Sequence, residues 1–197
     1  MVSPTNNVLS ESYARQLDVD QTAAWKRLLD VQAPYRWNLK RLRLGHTLDV
    51  GCGVGRNLAN LDGVGVDPNE TCVAIARRRG LQAFTPDQLS ADTESFDSLL
   101  FAHVIEHMDV ADASSLVSNY LGYLRPGGRV VFITPQELGY ASDSTHVRFC
   151  GFAELIDLAK GAGLEVTRSY SFPFPRALGR LFKYNEFVVV ATKQSAE

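Results

Sequence analysis

Three histidines and one glutamate form the combination of residues in this chain that most suggests chemistry. His103, Glu106 and His107 are spaced i, i+3, i+4, so a helix starting here would place all three on one face, and His146 follows much later. A carboxylate and three imidazoles that converge form a metal-ligand set, and an imidazole can also accept a proton during catalysis. We therefore predict a metal site at His103, Glu106, His107 and His146, with His103 and His146 as catalytic residues. For Glu106 and His107 alone, simple helix packing is the stronger explanation.

A glycine run follows the first apolar strand. Gly51, Gly53 and Gly55 occupy alternate positions after the strand at 47–50 and before a helical segment that begins near Arg56. Glycine permits a sharp turn and leaves the main chain uncovered, so a ligand can lie on it beside the positive end of a helix. The spacing is not that of dinucleotide or phosphate loops, and no lysine is present to reach a phosphate. The run predicts a nucleotide-type pocket, with a plain strand-to-helix turn as the alternative.

An acidic residue ends the second strand. Asp67 follows Val64-Gly65-Val66 and precedes Pro68 and Asn69. A carboxylate at the tip of the strand next to a glycine loop is placed to accept hydrogen bonds from both hydroxyls of a ribose. We predict that role for Asp67. The alternative is that Asp67 only caps the helix that begins near Asn69.

The elements that must position these residues alternate along the chain. Apolar runs at about 47–50, 63–66, 81–84, 97–102 and 129–134 are separated by helical stretches at about 56–61, 70–79, 87–91 and 110–124. This alternation predicts a doubly wound α/β fold. Two further runs, at 164–170 and 184–192, follow a helix at about 152–162. The piece at 176–182 that joins them is too short for a parallel crossover, so we predict an antiparallel last strand.

The residues before the first strand have a helical pattern. Apolar residues share one face up to Pro34, and a second helical piece carrying Arg36 runs to Leu42. We predict one domain over 1–197, in which helices at 1–44 form a lid in front of a core at 45–197 and Arg36 contacts the ligand. A simple packing helix accounts for the pattern equally well.

Composition limits the classes of function. The chain has 197 residues, 45% of them hydrophobic, and a net charge of -2, which suits one domain with a substantial core and does not favour a nucleic-acid partner. The three cysteines have no metal-ligand or disulfide spacing, and no signal peptide or membrane-spanning run is present. We predict a cytoplasmic protein that acts on a small molecule, without a membrane partner; the sequence leaves a homodimer open.

Four motifs in order resemble one enzyme family. Asp49-Val50-Gly51-Cys52-Gly53-Val54-Gly55, Gly65-Val66-Asp67, Phe96-Asp97 and Leu124-Arg125-Pro126-Gly127-Gly128-Arg129 are similar to the motifs of class I S-adenosylmethionine-dependent methyltransferases. The resemblance implies a Rossmann-like, seven-stranded doubly wound sheet with an antiparallel seventh strand, here preceded by N-terminal helices. It also implies S-adenosylmethionine as cofactor. Its methionine portion would lie against Asp49, Gly51, Gly53 and Asn57, and its ribose against Asp67. We add Pro68, Thr85 and Ala102 as cofactor contacts; Thr85 lies where the family often places an acidic residue for adenine.

A second resemblance concerns the histidine cluster. Glu106-His107, with Thr134-Pro135-Gln136-Glu137 and His146-Val147-Arg148-Phe149, resembles the metal-dependent methyltransferases that modify the terminal ribose 2′-hydroxyl of small RNAs. His103 stands where that family has its first glutamate. The resemblance implies a divalent metal, magnesium or manganese, and additional imidazole ligands shift the preference toward manganese, zinc or iron.

The acceptor follows from the chemistry of a metal-assisted transfer. A hydroxyl is a poor nucleophile, and a bound metal lowers the pKa of coordinated water to about 7. A vicinal diol could chelate such an ion, so we predict a small diol-bearing acceptor such as a sugar or oligosaccharide. In its size and its histidine cluster, the chain also resembles the small sugar O-methyltransferases that cap the reducing-end hydroxyl of methylated mannose oligosaccharides, which implies a mannose oligosaccharide as acceptor. The alternatives are a metal-independent methyltransferase for a quinone, phenol or amine, an RNA ribose 2′-O-methyltransferase, and a cofactor-binding module without catalysis.

Overall fold

The computed structural model describes residue 11 and residues 32–195. The predicted lid therefore lies mostly outside the described residues, apart from its last helix. The chain divides after Ser90 into two compact units. Each unit carries part of a seven-stranded sheet.

The first unit contains three parallel strands. Its elements are α1 (Ala33–Leu42), β1 (His46–Val50), β2 (Asp62–Val66), α2 (Glu70–Arg78) and β3 (Ala83–Phe84). The strand order is β3-β2-β1, and Asp49 lies opposite Gly65 in the parallel register. Helix α2 is capped by Asn69, whose side-chain oxygen accepts hydrogen bonds from the backbone N–H groups of Thr71 and Cys72. This cap fixes the helix start two residues after Asp67.

The second unit contains four strands in the order β4-β5-β7-β6. Its elements are β4 (Phe96–Ala102), α3 (Val110–Tyr120), β5 (Leu124–Pro135), α4 (Glu137–Ala141), α5 (Phe152–Gly161), β6 (Leu164–Phe172) and β7 (Glu186–Lys193). β4 and β5 are parallel, whereas β7 is antiparallel to both β5 and β6. Leu99 and Phe101 of β4 and Phe132 of β5 are fully buried, so these two strands contribute to the core of this unit.

The predicted fold class is confirmed. The connection between β6 and β7 contains only a short 3-10 turn, Arg176–Arg180, and the last strand therefore enters antiparallel to its neighbours. Two predicted helices are not formed as such. The segment at 56–61 contains only a 3-10 turn at Leu58–Asn60, and the segment at 87–91 is a turn. Among the described residues, no helix has the length and apolar character needed to cross a bilayer.

Candidate cofactor and metal sites

The glycine run forms a turn at the end of β1, in which Gly51 and Gly53 are partly exposed and Gly55 is buried against Leu81. The backbones of Gly51, Gly53 and Gly55 have φ values of 74°, 54° and 86°, which residues with a Cβ atom rarely adopt. The backbone N–H groups of Gly51 and Cys52 both donate to the carbonyl of Val66, at 2.8 and 3.1 Å. The turn is therefore tied to the end of β2.

Asp67 joins this turn to the start of α2. Its Oδ2 accepts a hydrogen bond from the N–H of Gly53 at 2.8 Å, and its Oδ1 accepts one from the N–H of Asn69 at 2.9 Å. Burial raises the pKa of Asp67, and these two hydrogen bonds partly oppose that effect. The side-chain cap of α2 is Asn69, so capping is not the role of Asp67. Each carboxylate oxygen has a second lone pair with which to accept a ligand hydroxyl.

Asp49 is buried at the end of β1 without a full set of partners. Its side chain is 1% exposed, and Oδ2 has no hydrogen-bond partner among the residues that the structure describes. Burial raises the pKa of Asp49 to about 7, with the charge of Arg56 opposing the increase and that of Asp67 adding to it. Buried polar atoms are normally paired. An orphaned carboxylate oxygen next to the glycine turn therefore fits a ligand that brings a cationic donor, as the ammonium group of S-adenosylmethionine does.

The other predicted cofactor contacts lie at separate points of the chain. Asn57 precedes the 3-10 turn after the glycine run, and Pro68 is exposed directly after Asp67. Thr85 is buried after β3, and its hydroxyl donates to Asp87 Oδ1 at 2.6 Å. Arg36 lies on α1, and Ala102 ends β4 in the second unit. The structure thus brings Gly51, Gly53 and Asp67 together, and the cofactor roles of these and of the remaining residues stay predictions.

The second unit gathers most of the predicted metal ligands. Glu106 and His107 lie in a 3-10 turn, Ile105–His107, and not on the α-helix on which their predicted common face depends. The carbonyl of Glu106 accepts hydrogen bonds from the N–H groups of Val147 and Arg148, at 2.8 and 3.2 Å. These two bonds hold the segment of His146 against the turn, although it lies 40 residues away in the sequence.

Glu106, His107 and His146 offer ligand atoms that all lie within 4.8 Å of one another. His146 Nε2 is 3.9 Å from Glu106 Oε1, and the two imidazole rings are 4.8 Å apart. Glu106 is fully buried, and neither of its carboxylate oxygens has a hydrogen-bond partner among the described residues. A buried carboxylate facing two imidazoles in this way can accept a cation.

Backbone carbonyls fix the tautomers of both imidazoles. His146 Nδ1 lies 2.7 Å from the carbonyl oxygen of Tyr140, and His107 Nδ1 lies 3.2 Å from that of Thr145. A carbonyl can only accept a hydrogen bond, so each Nδ1 carries the proton and each Nε2 has the lone pair that a metal needs. Neither Tyr140 nor Thr145 was predicted, since a backbone carbonyl gives no signal in the sequence.

His103 occupies a different place beside this group. It has a left-handed φ of 60° directly after β4. Its Nε2 lies 2.9 Å from Glu186 Oε1, and its Nδ1 lies 3.4 Å from Glu106 Oε1, at ion-pair distance. His103 is not one of the three residues whose ligand atoms converge. Glu186 was not predicted from the sequence. The signal in the sequence that could have indicated it is its position as an acidic residue at the start of the apolar strand β7.

The charges in this group influence each other. Burial alone would raise the pKa of Glu106, but the imidazoles of His103 and His107 more than offset it and hold the pKa below its usual value. Burial lowers the pKa of His107, with the Glu106 carboxylate opposing that change. Glu106 is thus an anion and His107 is disposed to be neutral, the two protonation states required of metal ligands.

Comparisons with known proteins identify a methyltransferase domain. A family model described as a methyltransferase domain matches residues 13–192. The ubiquinone biosynthesis O-methyltransferase of Sinorhizobium medicae is 35% identical over 112 residues, which cover 50% of this chain and 43% of that protein. The chain spans about two fifths of the length of the curated relatives it matches.

Two solved structures share the fold. A methyltransferase of Thermotoga maritima, described as a possible histamine N-methyltransferase, has a TM-score of 0.66 at 22% identity and covers 92% of this chain and 99% of its own. The magnesium protoporphyrin IX methyltransferase of Synechocystis, solved with bound SAH, has a TM-score of 0.65 at 17% identity. The match covers 96% of this chain and 97% of that protein's chain. At these identities the likeness concerns the fold alone.

The fold and the glycine turn define the class of the S-adenosylmethionine-dependent methyltransferases. The chain belongs to the methyltransferase domain family, whose model matches it over most of its length.

Proposed function

We propose that this protein is an S-adenosylmethionine-dependent O-methyltransferase that is assisted by a divalent metal and acts on a hydroxyl of a small diol-bearing molecule, such as a sugar. One observation carries the metal part. Glu106 is fully buried without a hydrogen-bond partner among the described residues, and two imidazoles whose Nδ1 protons point to carbonyls converge on it.

The three side chains suit a transition metal. A buried carboxylate is costly unless a cation or hydrogen bonds compensate it. Two imidazole nitrogens and one carboxylate leave coordination positions open, and this donor set favours manganese, iron or zinc over magnesium. When bound, the ion would lower the pKa of a coordinated hydroxyl. Glu106, His107 and His146 would hold it.

The first unit supports the donor half of the proposal. The cofactor, when bound, supplies an activated methyl group on a sulfonium. Gly51 and Gly53 offer a partly exposed main chain. Asp67 keeps lone pairs for the ribose hydroxyls, and the orphaned oxygen of Asp49 can accept a hydrogen bond from the ammonium group. These residues bind and orient the cofactor.

His103 is the proposed proton acceptor. Its Nε2 contacts the buried carboxylate of Glu186 at 2.9 Å, which fixes the orientation of the ring. Its 28% exposed side chain borders the metal group, since Nδ1 is 3.4 Å from Glu106. In its neutral form, with Nε2–H donating to Glu186, His103 can accept the proton released by the acceptor hydroxyl on Nδ1. In this assignment His146 serves as a metal ligand, with its Nε2 turned to Glu106.

The curated relatives favour a second candidate acceptor. Their names place them in ubiquinone biosynthesis, at 29–37% identity over 41–50% of this chain. A phenolic quinone precursor is therefore the alternative to a sugar. The net charge of -2 speaks against an RNA acceptor, which needs an extended positive groove.

Metal dependence and acceptor class are tested together. The purified protein is dialysed against a chelator and assayed with S-adenosylmethionine, mannose oligosaccharides and dihydroxylated aromatic acceptors, before and after addition of manganese, zinc or magnesium. We expect activity to be lost on dialysis and restored best by manganese or zinc. Transfer that survives metal removal would exclude the metal-assisted mechanism. Cofactor binding by calorimetry without transfer to any acceptor would indicate a binding module.

A further inference from the structure

Exposed apolar side chains are concentrated on one part of the second unit. Among the described residues, eight large apolar side chains are at least 40% exposed. Five of them come from α4 and the connection between β6 and β7: Leu138, Phe174, Leu178, Leu181 and Tyr184. Leu181 is 77% exposed, the highest value of the eight. We call these five residues the apolar face; such a concentration on a water-facing surface indicates an interaction site.

Four members of the apolar face lie on the connection between β6 and β7. Phe182 packs edge-on against Phe174 and Tyr184, with ring centroids 5.0 and 5.8 Å away. Leu178 and Leu181 belong to one turn, in which the N–H of Leu181 donates to the carbonyl of Leu178 at 3.0 Å. These contacts join four members of the face through a single short connection.

The connection is fastened to the strands and to α4. Asn185 is fully buried; its Oδ1 accepts from the N–H of Phe174 at 2.9 Å and its Nδ2 donates to Gln136 Oε1 at 3.0 Å. Both terminal nitrogens of Arg176 bind the carboxylate of Glu137 on α4. A Cβ on Gly139 of α4 would lie 2.7 Å from the carbonyl of Lys183, so the two backbones are in close contact. These contacts hold the connection against α4, the helix that carries Leu138.

The charged residues of the connection that carries most of the face are all basic. From Pro173 to Asn185 the chain contains Arg176, Arg180 and Lys183 and no acidic residue. Arg176 is compensated by Glu137, whereas Arg180 and Lys183 are exposed beside the apolar side chains. The ammonium group of Lys183 lies 5.9 Å from the centre of the Tyr184 ring. Aromatic and leucine side chains next to basic ones are the composition of segments that lie in the headgroup region of a bilayer.

We propose that the apolar face docks on the surface of an anionic lipid bilayer. Leu178, Leu181 and Phe174 would enter the boundary of the acyl chains, and Arg180 and Lys183 would contact acidic headgroups. Surface docking of this kind needs no spanning helix. The sequence prediction of no membrane partner considered only spanning and signal segments, whereas an exposed face emerges only from the folded chain. This inference does not depend on the proposed reaction.

Vesicle sedimentation tests the inference. The full chain is incubated with vesicles of phosphatidylcholine alone or of phosphatidylcholine mixed with phosphatidylglycerol. We expect binding to the anionic vesicles that weakens as salt is added. Each basic residue near such a surface contributes about 1 kcal/mol, so Arg180→Ala with Lys183→Ala should weaken binding about 30-fold at low salt. Leu181→Glu should weaken it as well, because it places a charge on the apolar face.

Two matched variants serve as controls. Arg78→Ala with Lys160→Ala removes the same charge from exposed helix positions elsewhere, and Val110→Glu changes another exposed apolar residue. Both should bind vesicles like the unchanged protein, and thermal unfolding verifies that every variant folds. Equal losses in the control and test variants would overturn the inference, as would no binding to either vesicle. A change in sedimentation velocity caused by Leu181→Glu without vesicle binding would instead identify the face as a contact between copies of the chain.

Discussion

The backbone N–H of Gly53 donates a hydrogen bond of 2.8 Å to Oδ2 of Asp67, a residue 14 positions later in the sequence. The same carboxylate also accepts from the N–H of Asn69, the residue that caps α2. One buried side chain thus links the glycine turn, the end of β2 and the start of α2. A residue in this position affects the shape of the pocket as well as its ligand.

Replacement of Asp67 is expected to weaken cofactor binding. Asp67→Ala removes the acceptor for the N–H of Gly53 and the proposed acceptor for the ribose hydroxyls. Hydrogen bonds to charged groups contribute about 1.5–3 kcal/mol, so the dissociation constant for S-adenosylmethionine should rise about 10- to 100-fold. Calorimetric titration measures it, and Asp62→Ala at the exposed start of β2 is the control. An unaltered dissociation constant would contradict the ribose assignment.

Stability of the cofactor-free protein should depend on the charge of Asp49. Its pKa is about 7 in the folded state against 3.8 in the unfolded chain. A raised pKa means that the folded state binds the proton more tightly, so this contribution is complete below pH 3.8 and is lost as the pH rises to about 7. The side-chain amide in Asp49→Asn does not titrate, so this variant should not lose that contribution to the free energy of unfolding as the pH rises.

Urea unfolding at two pH values tests this expectation. From about pH 5 to about pH 8, the free energy of unfolding of Asp49→Asn should gain about 3 kcal/mol relative to the unchanged protein. Asp92→Asn, at an exposed position, should show no such gain. A difference between Asp49→Asn and the unchanged protein that stays constant with pH would show that the Asp49 carboxylate is charged in the folded state throughout this range.

Local patterns account for the parts of the molecule that were predicted correctly. The glycine spacing and the alternation of strands and helices are signals within short segments, and the short connection after β6 specifies the antiparallel last strand. The segments at 56–61 and 87–91 were wrongly predicted as helices. A segment of about one turn gains too few hydrogen bonds to offset the cost of helix nucleation.

The candidate metal site depends on contacts that no local pattern contains. His146 is held near Glu106 by backbone hydrogen bonds from Val147 and Arg148. Its tautomer depends on the carbonyl of Tyr140, and His103 meets Glu186 from a strand 83 residues further on. The residue types at 106, 107 and 146 suggested the chemistry, but the separation of His103 from the three converging side chains required the structure.

Loss of the carboxylate should remove metal binding and leave cofactor binding intact. Glu106→Gln keeps the shape of the side chain while removing the buried charge, so the affinity for manganese should fall more than about 100-fold. The stability of the metal-free protein at neutral pH should decrease, because the neighbouring imidazoles hold the pKa of Glu106 below its usual value and so stabilise the folded state. Manganese and S-adenosylmethionine are titrated separately, with Glu165→Gln on the exposed side of β6 as control. Equal manganese affinity in Glu106→Gln and Glu165→Gln would remove the basis for the metal site.

His146→Ala should separate catalysis from cofactor binding. The imidazole is 7% exposed, stacks on Tyr140 with ring centroids 5.2 Å apart, and turns Nε2 toward Glu106. Without it the metal group keeps only one imidazole, and methyl transfer should fall at least about 100-fold, while the dissociation constant for S-adenosylmethionine changes less than about twofold. His46→Ala, which removes a half-exposed histidine at the start of β1, should retain transfer.

His146→Gln, which keeps a polar side chain of similar size, distinguishes loss of the ligand from loss of packing: it should stay folded and inactive. A large loss of cofactor affinity in His146→Ala would show that His146 belongs to the donor pocket and not to the metal site.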